Sequence, residues 1–215
     1  MSAITPAPVL DYLGTLCSWP DPELEVIAAE GAQAGLPIVN PQTGALLHAL
    51  TRTTGASRAL EIGTAIGFSG LWIATALTAG GMLITLEREA ERAAIARNHF
   101  AKAGADDKVS VMVGDASRYL HKVAGPFDLI FQDGDKQQYE PMLDRLIELL
   151  RPGGALVTDN VLWNGEVIDG YVETPVHDAV DTNAIAAYNQ RLAHDPRVFT
   201  TFLAVGDGVA LSIKR

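Results

Sequence analysis

The chain has 215 residues and no stretch near the ~20 apolar residues that cross a membrane, so we expect a single domain, residues 1–215, with no membrane contact. Its net charge of −10 disfavours nonspecific nucleic-acid binding, which depends on Lys and Arg. The lone Cys17 excludes an internal disulfide, and residues 1–10 lack the pattern of a signal peptide, so a cytoplasmic protein is expected.

The N-terminal part, residues 1–55, is predicted to form a helical cap on a core of residues 56–215. Asp21 precedes Pro22 and two early acids, which is the pattern of a helix start. Residues 41–54 carry leucines at helical spacing before Gly55. Both segments are therefore predicted helices.

From residue 56 onward, strand and helix patterns alternate. The predicted strands are Arg58–Ile62, Met82–Glu87, Val109–Val113, Phe127–Phe131 and Ala155–Val157, and helices are predicted at 89–103, 139–150 and 183–193. This alternation predicts an α/β fold with a mostly parallel sheet and helices on both faces. Two further runs, 198–205 and 209–214, have the spacing of an antiparallel hairpin.

A glycine-rich turn follows the first predicted strand. It reads Glu61-Ile62-Gly63-Thr64-Ala65-Ile66-Gly67-Phe68-Ser69. The glycines allow the backbone to approach a ligand, but the spacing is not G-x-G-x-x-G and the turn carries no lysine. We therefore favour a ligand with an adenosine and an amino acid over a dinucleotide. An ordinary turn between a strand and a helix is the alternative.

Acids at the ends of the next two strands are candidates for holding a nucleoside. Glu87 lies 24 positions after Gly63, where a carboxylate accepts hydrogen bonds from ribose hydroxyls. The alternative is a first-turn acid of the following helix. Asp115, followed by Ala116, is the candidate for the adenine edge, or else a simple turn residue.

Oxygen donors also follow the fourth and fifth predicted strands. Asp133 follows one, and Asp159 and Asn160 follow the other. Parallel strands bind ligands at their carboxyl ends, and such oxygens suit Mg²⁺, with Mn²⁺ or Ca²⁺ as other choices. Lys136 could serve as a base beside the cation. Helix caps, a turn and a solvated lysine are the alternatives.

None of the five histidines has the spacing of a metal ligand set such as H-E-x-x-H. We expect surface or packing roles for them. His177, beside Asp178, is the one that could face the site.

The chain resembles the class I, S-adenosylmethionine-dependent O-methyltransferases that need a divalent metal, typified by catechol and caffeoyl-CoA O-methyltransferases. The motifs that carry the resemblance are Asp133-x-x-Lys136-x-x-Tyr139, Asp159-Asn160-x-Leu162-Trp163-x-Gly165, and Leu60-Glu61-Ile62-Gly63 with Gly67-Phe68-Ser69. The resemblance implies a Rossmann-like fold with a seven-stranded sheet, S-adenosylmethionine as cofactor, and a homodimer. Residues 167–181, which should recognise the acceptor, have no clear counterpart in the family.

The resemblance also implies roles for individual residues. Metal ligands would be Asp133, Asp159 and Asn160, and Lys136 would be the catalytic base, with Asp133 beside it. Trp163 would form a wall of the acceptor pocket next to Lys136. The cofactor would contact Val39, Glu61, Gly63, Ala65, Gly67, Phe68, Ser69, Glu87, Asp115, Ala116, Asp133 and Asp135, and the family loop over the cofactor would include Val39 and Gly44.

The function expected from these features is metal-dependent methylation of a hydroxyl group on a catechol-like small molecule. One alternative keeps the chemistry and changes the acceptor to a hydroxylated tRNA base, although the acidic balance of the chain argues against RNA. Another alternative is a noncatalytic S-adenosylmethionine-binding protein, in which Lys136 and the proposed ligand set would be needless.

Overall fold

Seven strands form the central sheet in the computed structural model, which describes residues 5–215. Residues 1–4 of the predicted domain, and of the segment 1–10 weighed for a signal peptide, lie outside the described residues. The strands are β1 (Arg58–Ile62), β2 (Met82–Glu87), β3 (Val109–Val113), β4 (Phe127–Gln132), β5 (Leu150–Asp159), β6 (Val198–Leu203) and β7 (Val209–Lys214). Their order in the sheet is β3-β2-β1-β4-β5-β7-β6.

The sheet is parallel from β3 to β5 and antiparallel beyond it. Strand β1 pairs in parallel with β2 and β4, and β5 pairs in parallel with β4. Strand β7 inserts antiparallel between β5 and β6. The predicted mixed sheet with a C-terminal antiparallel hairpin is confirmed.

Helices cover both faces of the sheet, as predicted. They are α1 (Ala7–Thr15), α2 (Glu23–Ala34), α3 (Pro41–Thr53), α4 (Phe68–Ala76), α5 (Ala90–Lys102), α6 (Ala116–Tyr119), α7 (Tyr139–Leu149) and α8 (Ala179–His194). Neighbouring strand residues point to opposite faces. Leu129 accordingly packs with residues of α2 to α5, whereas Ile130 packs with residues of α7 and α8. Within residues 5–215, no helix is long and apolar enough to cross a membrane.

The N-terminal helices share the core of one sheet face. Leu24 and Ile27 of α2 and Leu47 of α3 are fully buried in the same cluster as Phe131. Trp19, which precedes α2, packs its ring 5.7 Å from that of Trp72, measured between centroids. The N-terminal segment therefore packs against the body of the sheet. The boundary at residue 55 stays a prediction.

Three local predictions differ from the structure by more than two residues or in the type of element. Helix α8 begins at Ala179 rather than 183, because the side chain of Asp178 accepts the Val180 N–H at 2.6 Å and caps the helix there. Strand β5 begins at Leu150 rather than Ala155, because Leu150 already lies opposite Phe127 and the intervening residues form an irregularity.

The third difference concerns Gly44, which was expected in a loop over the cofactor. It lies inside α3, which runs from Pro41 to Thr53. A side chain at this position would collide with the Trp72 indole, so the glycine allows α3 to approach α4 closely.

Candidate active site

A cleft of about 880 Å³ opens at the carboxyl ends of β1 to β5. Most of the predicted site residues line it together: Val39, Gly63, Ala65, Phe68, Ser69, Glu87, Asp115, Ala116, Asp133, Asp135, Lys136, Asp159, Asn160 and Trp163. The parallel sheet therefore brings the side chains from five strand ends into one cleft.

Two predicted cofactor residues, Glu61 and Gly67, are not among the residues that line the cleft. Glu61 is fully buried beneath the glycine-rich turn, and its Oε2 accepts a hydrogen bond from the Thr85 hydroxyl at 2.6 Å. Burial raises the pKa of Glu61 to about 7, although bonds from Ser69 and Thr85 act in the opposite direction. Gly67 has φ +96° and packs against Phe100 of α5. Glu61 and Gly67 therefore support the conformation of the turn and do not face the cleft.

The turn itself depends on Gly63. This residue has φ +93°, and a Cβ atom here would collide with the carbonyl group of Asp133. Its N–H donates to the Leu86 carbonyl at 2.9 Å, and the Asp133 N–H donates to the Ile62 carbonyl at 2.9 Å. Only glycine lets the ends of β1 and β4 approach this closely at the floor of the cleft.

The carboxylate of Glu87 is held by backbone donors at the end of β2. Its Oε2 accepts the Ala65 N–H at 2.8 Å, and its Oε1 accepts the Glu89 N–H at 2.9 Å. Each oxygen keeps room for another hydrogen bond, because a carboxylate oxygen has two lone pairs. The group can therefore accept two neighbouring hydroxyl donors in the cleft.

Asp115 is similarly fixed at the end of β3. Its Oδ1 accepts the Ser117 N–H at 2.9 Å and the Ser117 hydroxyl, and its Oδ2 accepts the Gln138 side chain at 3.2 Å. The bond from the Ser117 hydroxyl is the main reason that the pKa of Asp115 lies below its usual range. Asp115 therefore presents a charged carboxylate.

A polar cluster around Lys136 lies at the ends of β4 and β5. The Lys136 Nζ donates to Asp133 Oδ1 at 2.9 Å, to Tyr139 Oη at 2.9 Å and to Asn160 Oδ1 at 2.6 Å. The pairing of Gln132 with Thr158 places Asp133 and Asp159 side by side at the strand ends. Asn160 then adopts φ +62°, which breaks the strand alternation and lets adjacent side chains converge.

Asp159 is the least satisfied member of this cluster. Its side chain is buried, and its Oδ1 has no hydrogen-bond partner among residues 5–215. Burial, reinforced by the Asp133 charge, raises the pKa of Asp159 well above its usual range. A buried, unpaired carboxylate oxygen is costly unless something binds it.

The donor set fits a hard divalent cation. No group of three or more His, Cys, Asp or Glu side chains within residues 5–215 is arranged to hold a metal. The candidate set instead combines two carboxylates, Asp133 and Asp159, with the amide oxygen of Asn160. Carboxylate and amide oxygens are suitable ligands for Mg²⁺ or Ca²⁺, and a cation would satisfy the unpaired Asp159 oxygen.

Two further residues of the cluster were not predicted as site residues. Tyr139 is fully buried, accepts the bond from Lys136 and donates to the Asp159 carbonyl at 3.2 Å. Burial and the nearby carboxylates raise its pKa well above 10, so the phenol stays neutral. Asp207 reaches the cleft from the loop between β6 and β7 and accepts the Asn164 N–H at 2.5 Å. Burial raises the pKa of this carboxyl as well.

Backbone strain is concentrated at the cleft. Within residues 5–215, four non-glycine residues have positive φ: Ala65 (+46°), Asn160 (+62°), Trp163 (+49°) and Asn164 (+53°). All four line the cleft. Such conformations cost about 1–3 kcal/mol each and persist only where the surrounding contacts impose them. Their grouping supports the choice of this cleft as the candidate functional site.

The acceptor-side wall contains Trp163 and His177. Their rings stack with centroids 4.0 Å apart and an interplanar angle of 30°. His177 Nδ1 lies 2.9 Å from Oε1 of Glu166, whose side chain is only 1% exposed. His177, weighed from the sequence as a residue that could face the site, does line the cleft.

Comparison with known proteins points to one family. A family model described as O-methyltransferase matches residues 23–215. The chain is 36% identical to a catechol O-methyltransferase of Niastella koreensis over 94% of both chains. The solved O-methyltransferase of Bacillus cereus in complex with SAH superposes with a TM-score of 0.85 at 34% identity, over 97% of both chains. An O-methyltransferase of Streptomyces achromogenes in complex with SAM has a TM-score of 0.84 at 32% identity, over 96% of both chains.

Proposed function

Because this chain belongs to the O-methyltransferase family, we propose that it transfers the methyl group of S-adenosylmethionine to one hydroxyl of a catechol-like small molecule, aided by a divalent cation. The prediction of a class I S-adenosylmethionine-dependent O-methyltransferase is confirmed by the family match. The finer assignment rests on the convergence of Lys136 with oxygens of Asp133 and Asn160, beside the unpaired oxygen of Asp159.

The cofactor site of the proposal is the half of the cleft at the carboxyl ends of β1 to β3. The related structures that hold SAH and SAM support binding of this cofactor. Glu87 would accept hydrogen bonds from the two ribose hydroxyls. Its two oxygens are already held in position by backbone N–H donors and each has a free lone pair. The turn at Gly63 would receive the amino-acid part, and Asp115 would face the adenine edge.

The metal site of the proposal is the set of Asp133, Asp159 and Asn160. These three side chains would hold Mg²⁺, or alternatively Mn²⁺ or Ca²⁺. When bound, the cation supplies Lewis acidity, which lowers the pKa of an acceptor hydroxyl from about 10 towards neutrality. Burial raises the pKa of Asp159 because a buried carboxylate is stable only beside a positive charge. The same burial makes Asp159 a suitable ligand for a cation, which would supply that charge.

Lys136 is the proposed general base. Its amine donates hydrogen bonds to Asp133, Tyr139 and Asn160, which fix its position in the cleft. Tyr139 remains neutral, and its hydroxyl oxygen holds the amine by accepting one of these hydrogen bonds. To accept the hydroxyl proton the amine must first release one of its own protons to solvent. If the Asp133 and Asn160 oxygens turned to a cation, two of the three acceptors that hold the ammonium form would be lost, and the neutral amine could then take the hydroxyl proton.

The methyl transfer step depends mainly on the alignment of the acceptor oxygen, the methyl carbon and the sulfur. The acceptor oxygen forms a bond to the methyl carbon while the carbon–sulfur bond breaks, and the electron pair of that bond stays on sulfur. The products are a methyl ether, S-adenosylhomocysteine and the proton held by Lys136. Holding oxygen, carbon and sulfur in line can contribute about 7–11 kcal/mol to lowering the barrier.

A comparison of acceptors tests this proposal. Purified protein with S-adenosylmethionine and Mg²⁺ is given catechol, phenol or undermodified tRNA at about 50 and 200 mM salt, the range over which phosphate contacts weaken steeply. We expect methylation of catechol with little salt dependence and none of phenol, because one hydroxyl alone is a weak handle for a cation. Equal rates on phenol and catechol would contradict chelation, and fast, salt-sensitive methylation of tRNA would favour the RNA acceptor.

A further inference from the structure

We propose that His177 is a positioning residue for the methyl acceptor, which acts by holding the Trp163 indole in place as a wall of the cleft. The inference deepens the proposed function and rests on it. It concerns the segment from Glu166 to His177, which closes on itself beside the acceptor half of the cleft.

The first observation is that the backbone conformation of Trp163 is imposed by neighbouring residues. Its φ of +49° is an outlier for a bulky residue, and the following Asn164 is also left-handed at +53°. The loop between β6 and β7 holds this backbone, because Asp207 accepts the Asn164 N–H at 2.5 Å and the Leu162 N–H at 3.0 Å. These bonds fix the main chain and leave the indole to be fixed by its ring contacts.

The second observation is that His177 provides a rigid ring contact. The imidazole stacks on the indole at 4.0 Å between centroids. The Lys136 amine also lies over the indole, 5.7 Å from the ring centroid. The indole therefore links the histidine to the base at the reacting centre, so a change in its orientation would alter the shape of the acceptor pocket.

The third observation is that the imidazole is itself anchored. Glu166 accepts the Val176 N–H at 2.9 Å, the His177 N–H at 3.3 Å and the His177 Nδ1–H at 2.9 Å. A carboxylate only accepts, so Nδ1 carries the proton and the ring has one tautomer and one orientation. Burial raises the pKa of Glu166, but the bonds from Val176 and His177 outweigh it and keep the pKa below its usual range.

Two substitutions separate the ring from the hydrogen bond. His177→Asn keeps an N–H near the position of Nδ1, so it can still bond to Glu166, but it removes the flat ring. His177→Phe keeps a flat ring and loses the bond to Glu166. His194→Ala, which changes an exposed histidine on α8 with its Nδ1 at 2.7 Å from the Gln190 carbonyl, is the matched control.

Acceptor KM, kcat and the Kd for S-adenosylmethionine are measured for all four proteins with catechol as acceptor. An aromatic pair of this kind corresponds to about a threefold to tenfold change in affinity, so His177→Asn should raise the KM for catechol by that factor. We expect His177→Phe and the control to stay within about twofold of the unmodified protein, and the cofactor Kd to change in none of them. Near-UV circular dichroism should show loss of fixed indole packing in His177→Asn only.

An unchanged KM in His177→Asn would overturn the inference. So would an equal rise in His177→Phe, because a flat ring at this position would then not be what holds the indole. Absence of catechol methylation by the unmodified protein would instead contradict the proposed function. The dichroism would then still decide the ring contact, and an unaltered spectrum in His177→Asn would overturn that contact too.

Discussion

The buried carboxyl of Glu61 should make the unmodified protein less stable as the pH rises. Replacement of Glu61 by glutamine should remove this pH dependence. Glu61 is fully buried under the glycine-rich turn, and one of its oxygens, Oε1, has no hydrogen-bond partner among residues 5–215. The other accepts from Thr85 at 2.6 Å. The site therefore suits a neutral carboxylic acid better than a carboxylate.

The size of the effect follows from the pKa of the folded protein. Burial raises the pKa of Glu61 from 4.5 to about 7, so between these values the folded chain keeps a proton that the unfolded chain has released. Stability from this group is fully present below pH 4.5 and is lost as the pH rises to about 7. At about 1.4 kcal/mol per unit of pKa, the loss between pH 5 and pH 8 is on the order of 2–3 kcal/mol.

Urea unfolding of the two proteins at pH 5, 6, 7 and 8 measures this loss. Glutamine has the same shape and does not titrate. The free energy of unfolding of Glu61→Gln minus that of the unmodified protein should therefore increase by about 2–3 kcal/mol from pH 5 to pH 8. Glu25→Gln, on the exposed side of α2, is the control and should follow the unmodified protein at every pH. Parallel stability curves for the unmodified protein and Glu61→Gln would refute the reasoning.

Three further outcomes are expected from the proposed site and assembly. In Glu87→Ala, S-adenosylmethionine should bind at least about tenfold more weakly by calorimetry, since bonds to a charged acceptor contribute about 1.5–3 kcal/mol each; an unchanged Kd would remove Glu87 from the site. In Lys136→Gln, kcat should fall by about 10²- to 10⁴-fold while cofactor affinity persists, and a fall of less than tenfold would exclude Lys136 as the base. We also propose a homodimer, because Tyr12 and Leu13 of α1 and Leu16 just after it are exposed apolar side chains. Light scattering should give twice the chain mass of 22.9 kDa, and a monomer at micromolar concentration would contradict it.

The strand pattern could be predicted because each strand is a local run. β1, β2 and β3 have the predicted bounds, and the parallel register then brings Asp133 beside Asp159. The placement of Glu61 could also have been anticipated, because neighbours on a strand face opposite sides. Leu60 and Ile62 pack on the α7 and α8 face, so Glu61 must point towards α4.

Other parts of the site lie beyond local patterns. Asp207 is 43 residues from Asn164, to which it bonds, and nothing in its hairpin loop marks it as a site residue. The contact between Glu166 and His177 spans 11 residues without regular structure. Tyr139 could have been found, since its three-residue spacing from Lys136 puts both side chains on one side of a helical turn. Side chains joined only by tertiary folding leave no such signal.

Methyl transfer to catechol with and without a free divalent cation tests the central claim most directly. The product is measured by mass spectrometry with Mg²⁺, with excess EDTA, and after Mg²⁺ is restored. The same assay is applied to Asp159→Ala, with circular dichroism and cofactor binding as checks that the variant is folded. We expect activity with Mg²⁺, none in EDTA, recovery on restoring Mg²⁺, and none in a folded Asp159→Ala. Full activity in excess EDTA would contradict the proposed metal-dependent mechanism.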